Sequence, residues 1–274
     1  MQKMKNLAYS CFVVLLLVSC SEYQKVLNDG PVDAQYKMAT KMYEAKKYYK
    51  ALQLFERVTP SFRGKPQLER IQYMVAQSNF NTKGYTLAGY YFDRFTKNYP
   101  KSSKKEEAAF LSAFSYYKAA PVYSLDPIDT YKAMESFQLF MDAYPDSDRF
   151  ADANKYYKEL RYKLERKAFE IAKTYYKTAV YDARNYSASI VAFDNLLSEY
   201  LGTKFKEEAL YFRLKAAHDY ALKSTQRRKE ARIKAAVKAH KKLQRNFPES
   251  KFMGDANSML ATLQTAQKQF AKKS

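Results

Sequence analysis

The chain has no tryptophan, two histidines, two cysteines, and only six glycines and eight prolines in 274 residues. So little glycine and proline leaves few sites for tight turns and favours uninterrupted helix over sheet. The shortage of histidine removes most acid–base and metal chemistry. His218 sits among alanines on a helical pattern, and no nucleophile elbow, phosphate-binding loop or metal-ligand spacing appears. The acid pairs Glu106-Glu107 and Glu207-Glu208 stand where helices begin, where they complement the helix dipole. No enzyme activity, cofactor or metal is expected.

The cysteines are Cys11 and Cys20. Lys3 and Lys5 precede an apolar run from Leu7 to Val18. A short basic stretch followed by an apolar one has the form of an export signal, and this run falls short of the ~20 residues a spanning helix needs. It ends Leu17-Val18-Ser19-Cys20, which resembles the bacterial lipobox. On that reading residues 1–19 are a cleaved signal, Cys20 is lipidated, and 20–32 form a tether. Several acyl chains anchor firmly where one does not. Cleavage leaves one cysteine, so no intramolecular disulfide is possible. Ser21 rather than Asp follows the cysteine. That points to the outer membrane, with the chain on its periplasmic face.

Formal net charge is +20. Such a balance suits nucleic acid or an anionic surface. An exported lipoprotein does not meet nucleic acid, so the charge is assigned to solvated helix faces, acidic partners or anionic lipid headgroups.

An internal repeat organises the rest. A small residue is followed by a bulky one four positions on and another three further. The copies are Ala51-Phe55-Val58, Ala88-Phe92-Phe95, Ala133-Phe137-Phe140, Ser189-Phe193-Leu196 and Ala236-His240-Leu243. These spacings share one helix face. The small residue lets a neighbouring helix approach, and the bulky ones fill the space beside it. His240 takes a position that is Phe in the other copies, so packing is its expected role. Three copies close on an aromatic, Pro, any residue and Ser: Tyr99 to Ser102, Tyr144 to Ser147 and Phe247 to Ser250. Proline stops the helix, and the serine is placed to cap the next one. In the fourth copy Leu201 replaces the proline.

This is helix–turn–helix repetition of the tetratricopeptide type, with intervals longer than the usual ~34 residues. The fold expected is all-α, a superhelical solenoid of about five such helix pairs. A proline-containing loop at 120–129 interrupts the third repeat. Residues 148–182 contain no Gly or Pro and read as one long helix, with Tyr157, Leu160, Leu164, Ala168, Ile171 and Tyr175 as its seam. The domain expectation is N-terminal repeats over 33–147, the connecting helix, and C-terminal repeats over 183–274.

Tyrosine is abundant, at 26 residues, and crowds the first two repeats. Most of these rings are expected in the core. The remainder can line the concave surface of stacked helix pairs, where a rigid aromatic face with a hydroxyl suits an extended peptide. Tyr43, Tyr48, Arg70, Tyr73, Asn79 and Tyr85 are the candidate groove residues, with Asn81 nearby.

The "LVSC" lipobox, "FTKNYPKS", "FMDAYPDS", the 120–129 loop and the long helix together resemble the BamD family of outer-membrane lipoproteins. The resemblance spans the whole chain. It implies an anchor at Cys20 in the inner leaflet of the outer membrane and C-terminal repeats that contact a BamA-like barrel subunit. It also implies N-terminal repeats that recognise unfolded outer-membrane proteins ending in an aromatic. Two other readings stay open: a tetratricopeptide lipoprotein coordinating cell-wall synthesis or division, and a glycan-binding surface lipoprotein. The first class usually carries a coiled coil before its repeats, and 21–33 is too short for one; the second is longer and rich in tryptophan.

Overall fold

The structure, a computed structural model, describes residues 22–271. The lipobox and Cys20 lie outside the described residues. Every regular element described is helical. After α1 (22–29) come α2 (Val32–Glu44), α3 (Tyr48–Val58), a single 3₁₀ turn (Thr59–Phe62), α4 (Gln67–Asn81) and α5 (Tyr85–Asn98). Then follow α6 (Lys105–Ala119), α7 (Ile128–Ala143), α8 (Phe150–Thr178), α9 (Arg184–Glu199), α10 (Lys206–Leu222), α11 (Gln226–Asn246) and α12 (Met253–Ala271). The protein is an all-α array of helix pairs, as the repeat predicts. None of these helices is long and apolar enough to cross a membrane.

The chain divides into two compact units. One holds the described residues up to Pro121 with Pro127–Lys158; the other holds Val122–Asp126 and the described residues from Glu159 onward. The 29-residue α8 runs through the division.

The repeat positions form the packing of each unit. Ala51, Ala88, Ala133, Ser189 and Ala236 are all fully buried. So are Phe55, Phe92, Phe137 and Phe193, with Val58, Phe95, Phe140, Leu196 and Leu243 beside them. His240 is 2% exposed, and its Nε2 meets Asn257 Oδ1 at 2.9 Å. At Ser189 the small residue adds a bond, its hydroxyl donating to the Ala172 carbonyl at 2.9 Å. Gly89 goes further still. A β-carbon there would lie 2.8 Å from the Tyr116 ring, so any larger residue would displace that ring where α6 comes close enough for Ser112 Oγ to donate to the Gly89 carbonyl at 2.9 Å.

Four closing turns share one geometry. Tyr99, Tyr144, Tyr200 and Phe247 end their helices with φ between −113° and −144° and ψ between 63° and 70°. Each carbonyl then accepts from the N–H three residues on, at Ser102, Ser147, Thr203 and Ser250. The hydroxyl of that residue accepts from the N–H two further along, at 3.1–3.2 Å. The serines therefore brace the turn and do not cap the helix, whose N-cap falls at Lys104 in the first of these cases. The fourth copy reaches the same bonds without proline. Gly202 takes a left-handed conformation there, φ 78°.

The seam of α8 differs from the expected one. Leu160 and Leu164 are buried, but Ile171 and Tyr175 are 46% and 41% exposed. The buried line passes instead through Glu165, Phe169 and Ala172. Phe169 draws the helix round because its ring meets Phe193 at 5.8 Å and Phe205 at 4.9 Å. Glu165 is tolerated inside because Arg161 Nε donates to one oxygen at 2.9 Å and Thr203 Oγ1 to the other at 3.0 Å. Thr203→Val would leave a buried carboxylate oxygen unpaired and remove a turn acceptor. We expect a loss of about 1–3 kcal/mol in urea unfolding, while Ser250→Ala, in a more exposed turn, costs less.

Candidate functional site

The first unit carries a row of polar and aromatic side chains running from α2 through α4 to α6. Tyr43, near the end of α2, donates its hydroxyl to Gln77 Oε1 on α4. Gln77 Nε2 donates to the Tyr73 hydroxyl at 3.0 Å. Tyr73 precedes Gln77 by four residues, so both stand on one face of α4. Tyr73 in turn hydrogen-bonds Glu107 at the start of α6. Glu107 closes the row on Lys104, whose Nζ is 2.9 Å from it and lies over the Tyr73 ring at 5.7 Å.

The rings are held as firmly as the hydroxyls. Tyr73 packs edge-on against Phe92 at 5.9 Å and Phe95 at 5.3 Å. Tyr43 meets Tyr48 edge-on at 5.8 Å. Burial, chiefly, with Glu107 close by, pushes the Tyr73 phenol up. Burial and then the neighbouring Tyr48 and Glu107 do the same for Tyr43, against Arg70. Both phenols stay neutral and keep their protons as donors. Burial also works against ionisation of Glu107, but hydrogen bonds from Lys104 and Tyr73, with the charges of Lys104 and Arg149, outweigh it and hold the carboxyl below its ordinary range.

The candidate residues separate into two groups. Tyr43, Tyr48 and Tyr73 belong to the row or touch it. Arg70 lies one turn before Tyr73, exposed, with Glu44 at 3.6 Å. Tyr48 also borders a pocket of about 370 Å³ with Lys46, Lys47, Tyr49, Lys50, Asn81 and Thr82. Asn79 and Tyr85 are not brought to the row. Asn79 is 8% exposed and ties down the end of α4, donating to the Val75 carbonyl at 2.9 Å while its own carbonyl accepts from Gly84. Tyr85 packs edge-on against Phe80 at 5.5 Å. Gln77 and Glu107 were not anticipated. The spacing of Gln77 from Tyr73 is a signal for Gln77, but no local spacing links Glu107 to Tyr73.

The second unit repeats the device. Tyr176 on α8 donates to Asp219 Oδ2 on α10 at 2.8 Å, and Tyr211 on α10 donates to Asp255 on α12. His218 Nδ1 lies 2.8 Å from Asp219 Oδ1 and its Nε2 lies 2.7 Å from Thr262 Oγ1, so it joins α10 to α12. Among the described residues no cluster of His, Cys, Asp and Glu could hold a metal ion.

The depressed Glu107 carboxyl has a stability consequence. Its contribution is present above the ordinary carboxylate range, near 4.5, and is lost as pH falls through the lower folded value. Urea unfolding of the wild type and Glu107→Gln should therefore differ at pH 6 and converge toward pH 3. A constant gap would remove the ionic part of the row.

The YfiO family, described as outer membrane lipoprotein, matches residues 28–232 and 178–273. The outer membrane protein assembly factor BamD of Rickettsia prowazekii (strain Madrid E) is 24% identical over 230 residues, covering 81% of this chain and 90% of that one. A relative from Aquifex aeolicus (strain VF5) that also bears the BamD name is 28% identical over 115 residues, covering 39% of this chain and 36% of its own. A crystal structure of TPR-like repeats from Podosopora anserina aligns over 89% of this chain and 97% of that one, with TM-score 0.32 and 12% identity.

Proposed function

The chain belongs to the YfiO family of outer membrane lipoproteins, and from that membership we propose that it is a lipid-anchored scaffold for assembling outer-membrane β-barrels. It is tethered through Cys20 at the periplasmic face and has two protein ligands, a BamA-like barrel subunit and unfolded outer-membrane proteins. The observation that carries this reading is the span of the likeness, which takes in 90% of the Rickettsia assembly factor. The helix-pair repeats suit the role, since stacked pairs present extended surfaces for other chains.

The row Tyr43–Gln77–Tyr73–Glu107 is our candidate for the substrate groove. Its rings are fixed by packing and its polar atoms by one another, so little order is lost when an extended segment lies across them. Aromatic side chains of that segment meet Tyr43 and Tyr48, and its backbone carbonyls meet the Lys46, Lys47 and Lys50 group. Arg70 is placed to exchange Glu44 for a carboxylate of the ligand. Asn79 and Tyr85 support this surface from behind. The second unit is left for the barrel subunit. The role is non-catalytic: every titratable group in the row is spent on holding a neighbour.

Affinity capture of the lipoprotein from detergent-solubilised outer membrane, followed by mass spectrometry, tests the role. A large barrel protein with periplasmic repeat domains should be the main partner. Cell-wall enzymes or glycan transporters in its place would overturn the assembly reading. Cys20→Ala should let a 0.5 M salt wash release the protein from the membrane fraction, where the wild type stays, with its thermal unfolding unchanged. Tyr43→Ala with Tyr48→Ala should weaken binding of a peptide ending in phenylalanine about tenfold, as loss of an aromatic anchor does; unchanged binding would place the groove elsewhere.

A further inference from the structure

The positive charge of the chain is unevenly placed, and one helix concentrates it. The 21 residues of α11, QRRKEARIKAAVKAHKKLQRN, hold nine Lys or Arg and one acid, Glu230. The buried residues Ile233, Ala236, Ala239, His240 and Leu243 mark the inner side. At 3.6 residues per turn, Arg227, Lys234, Lys238, Lys241 and Arg245 fall on one line along the opposite side. All five are exposed. The line from Arg227 to Arg245 is about 27 Å long. Glu230 pairs with Lys234 at 2.7 Å, and among the described residues no acid pairs with the other four.

We infer that this stripe is a docking surface for an anionic phospholipid bilayer. An acidic protein would also supply the charge, but protein interfaces centre on buried aromatic or aliphatic anchors. The other exposed residues between the cations are Glu230, Ala231, Ala235 and Gln244, and no large apolar side chain of α11 is exposed. A straight row of cations with no knobs between them instead matches a diffuse layer of lipid phosphates, which asks for charge and reach rather than shape. Weak adsorption is enough for a chain already tethered, because the tether raises the local concentration of membrane. This last point rests on the lipid anchor proposed above; the stripe itself does not.

The test uses the full mature chain with Cys20→Ser, so that the tether and the barrel partner play no part. Binding to vesicles of phosphatidylcholine alone is compared with vesicles containing 30% phosphatidylglycerol, by flotation. Wild type should bind the anionic vesicles at least tenfold better and lose that binding in 0.5 M salt, where screening is strong. Each basic side chain contributes about fivefold at such a surface, so neutralising Lys238, Lys241 and Arg245 to Gln should cost about a hundredfold. These residues face away from the core, so circular dichroism of the Gln triple should match the wild type. Lys37→Glu with Lys101→Glu and Lys204→Glu lowers the net charge even more, using exposed residues elsewhere, and should weaken binding less than the Gln triple. Equal binding to both vesicles, or a control variant as weak as the stripe variant, overturns the inference. Tight binding to polyglutamate without binding to anionic vesicles also overturns it, in favour of an acidic protein partner.

Discussion

Close approach of helices at one small residue per repeat is the constraint on which the structure depends. Ala51, Ala88, Ala133, Ser189 and Ala236 have no accessible surface. A larger side chain at any of them would push two helices apart and strip contacts from the bulky residues four and seven positions on. Truncating one buried Phe costs about 3–5 kcal/mol, so the contacts gathered at each small residue outweigh the few tenths that any surface ion pair supplies. Gly89 under the Tyr116 ring is the extreme case of the same demand.

The polar rows depend on this packing. A tyrosine on the first helix of a pair can reach an acid on the first helix of the next only when the pairs are stacked at a fixed distance. Tyr73 with Glu107, Tyr176 with Asp219 and Tyr211 with Asp255 are three uses of one arrangement. The phenol stays neutral and donates, and the carboxylate accepts. The result is a set of polar side chains held in place by one another and by the packing beneath them.

What could be read from the sequence follows from which interactions are local. The i, i+4, i+7 pattern is carried by one helix, so Ala133, Phe137 and Phe140 announce themselves. Where the helices close is also legible at Tyr99 and Tyr144, because the aromatic, proline and serine stand within four residues, but that the serine braces the turn rather than capping the next helix is not. The α8 seam was misjudged past Leu164 because Phe169 answers to rings on α9 and α10 and to the 203–205 turn, which no local spacing reveals. At the candidate site residue type alone brings out Tyr43, Tyr48 and Tyr73, which lie together, whereas nothing local shows that the Asn79 amide ends α4 from within. Glu107, and the bond from Tyr43 to Gln77, cannot be read locally because they exist only across helices.

The closing turn has an evolutionary consequence. It fixes the path of the backbone from one pair to the next with four hydrogen-bonding atoms contributed within a few residues, and it tolerates either Tyr-Pro or Tyr-Leu-Gly at its heart. Helices on either side can therefore lengthen, as α8 has to 29 residues, or acquire an inserted loop such as 120–129, without disturbing the joint. Repeat arrays built on such a joint can drift in period while keeping their stacking. That drift hides the repeat from a search for constant spacing, although each copy still carries the same three buried positions.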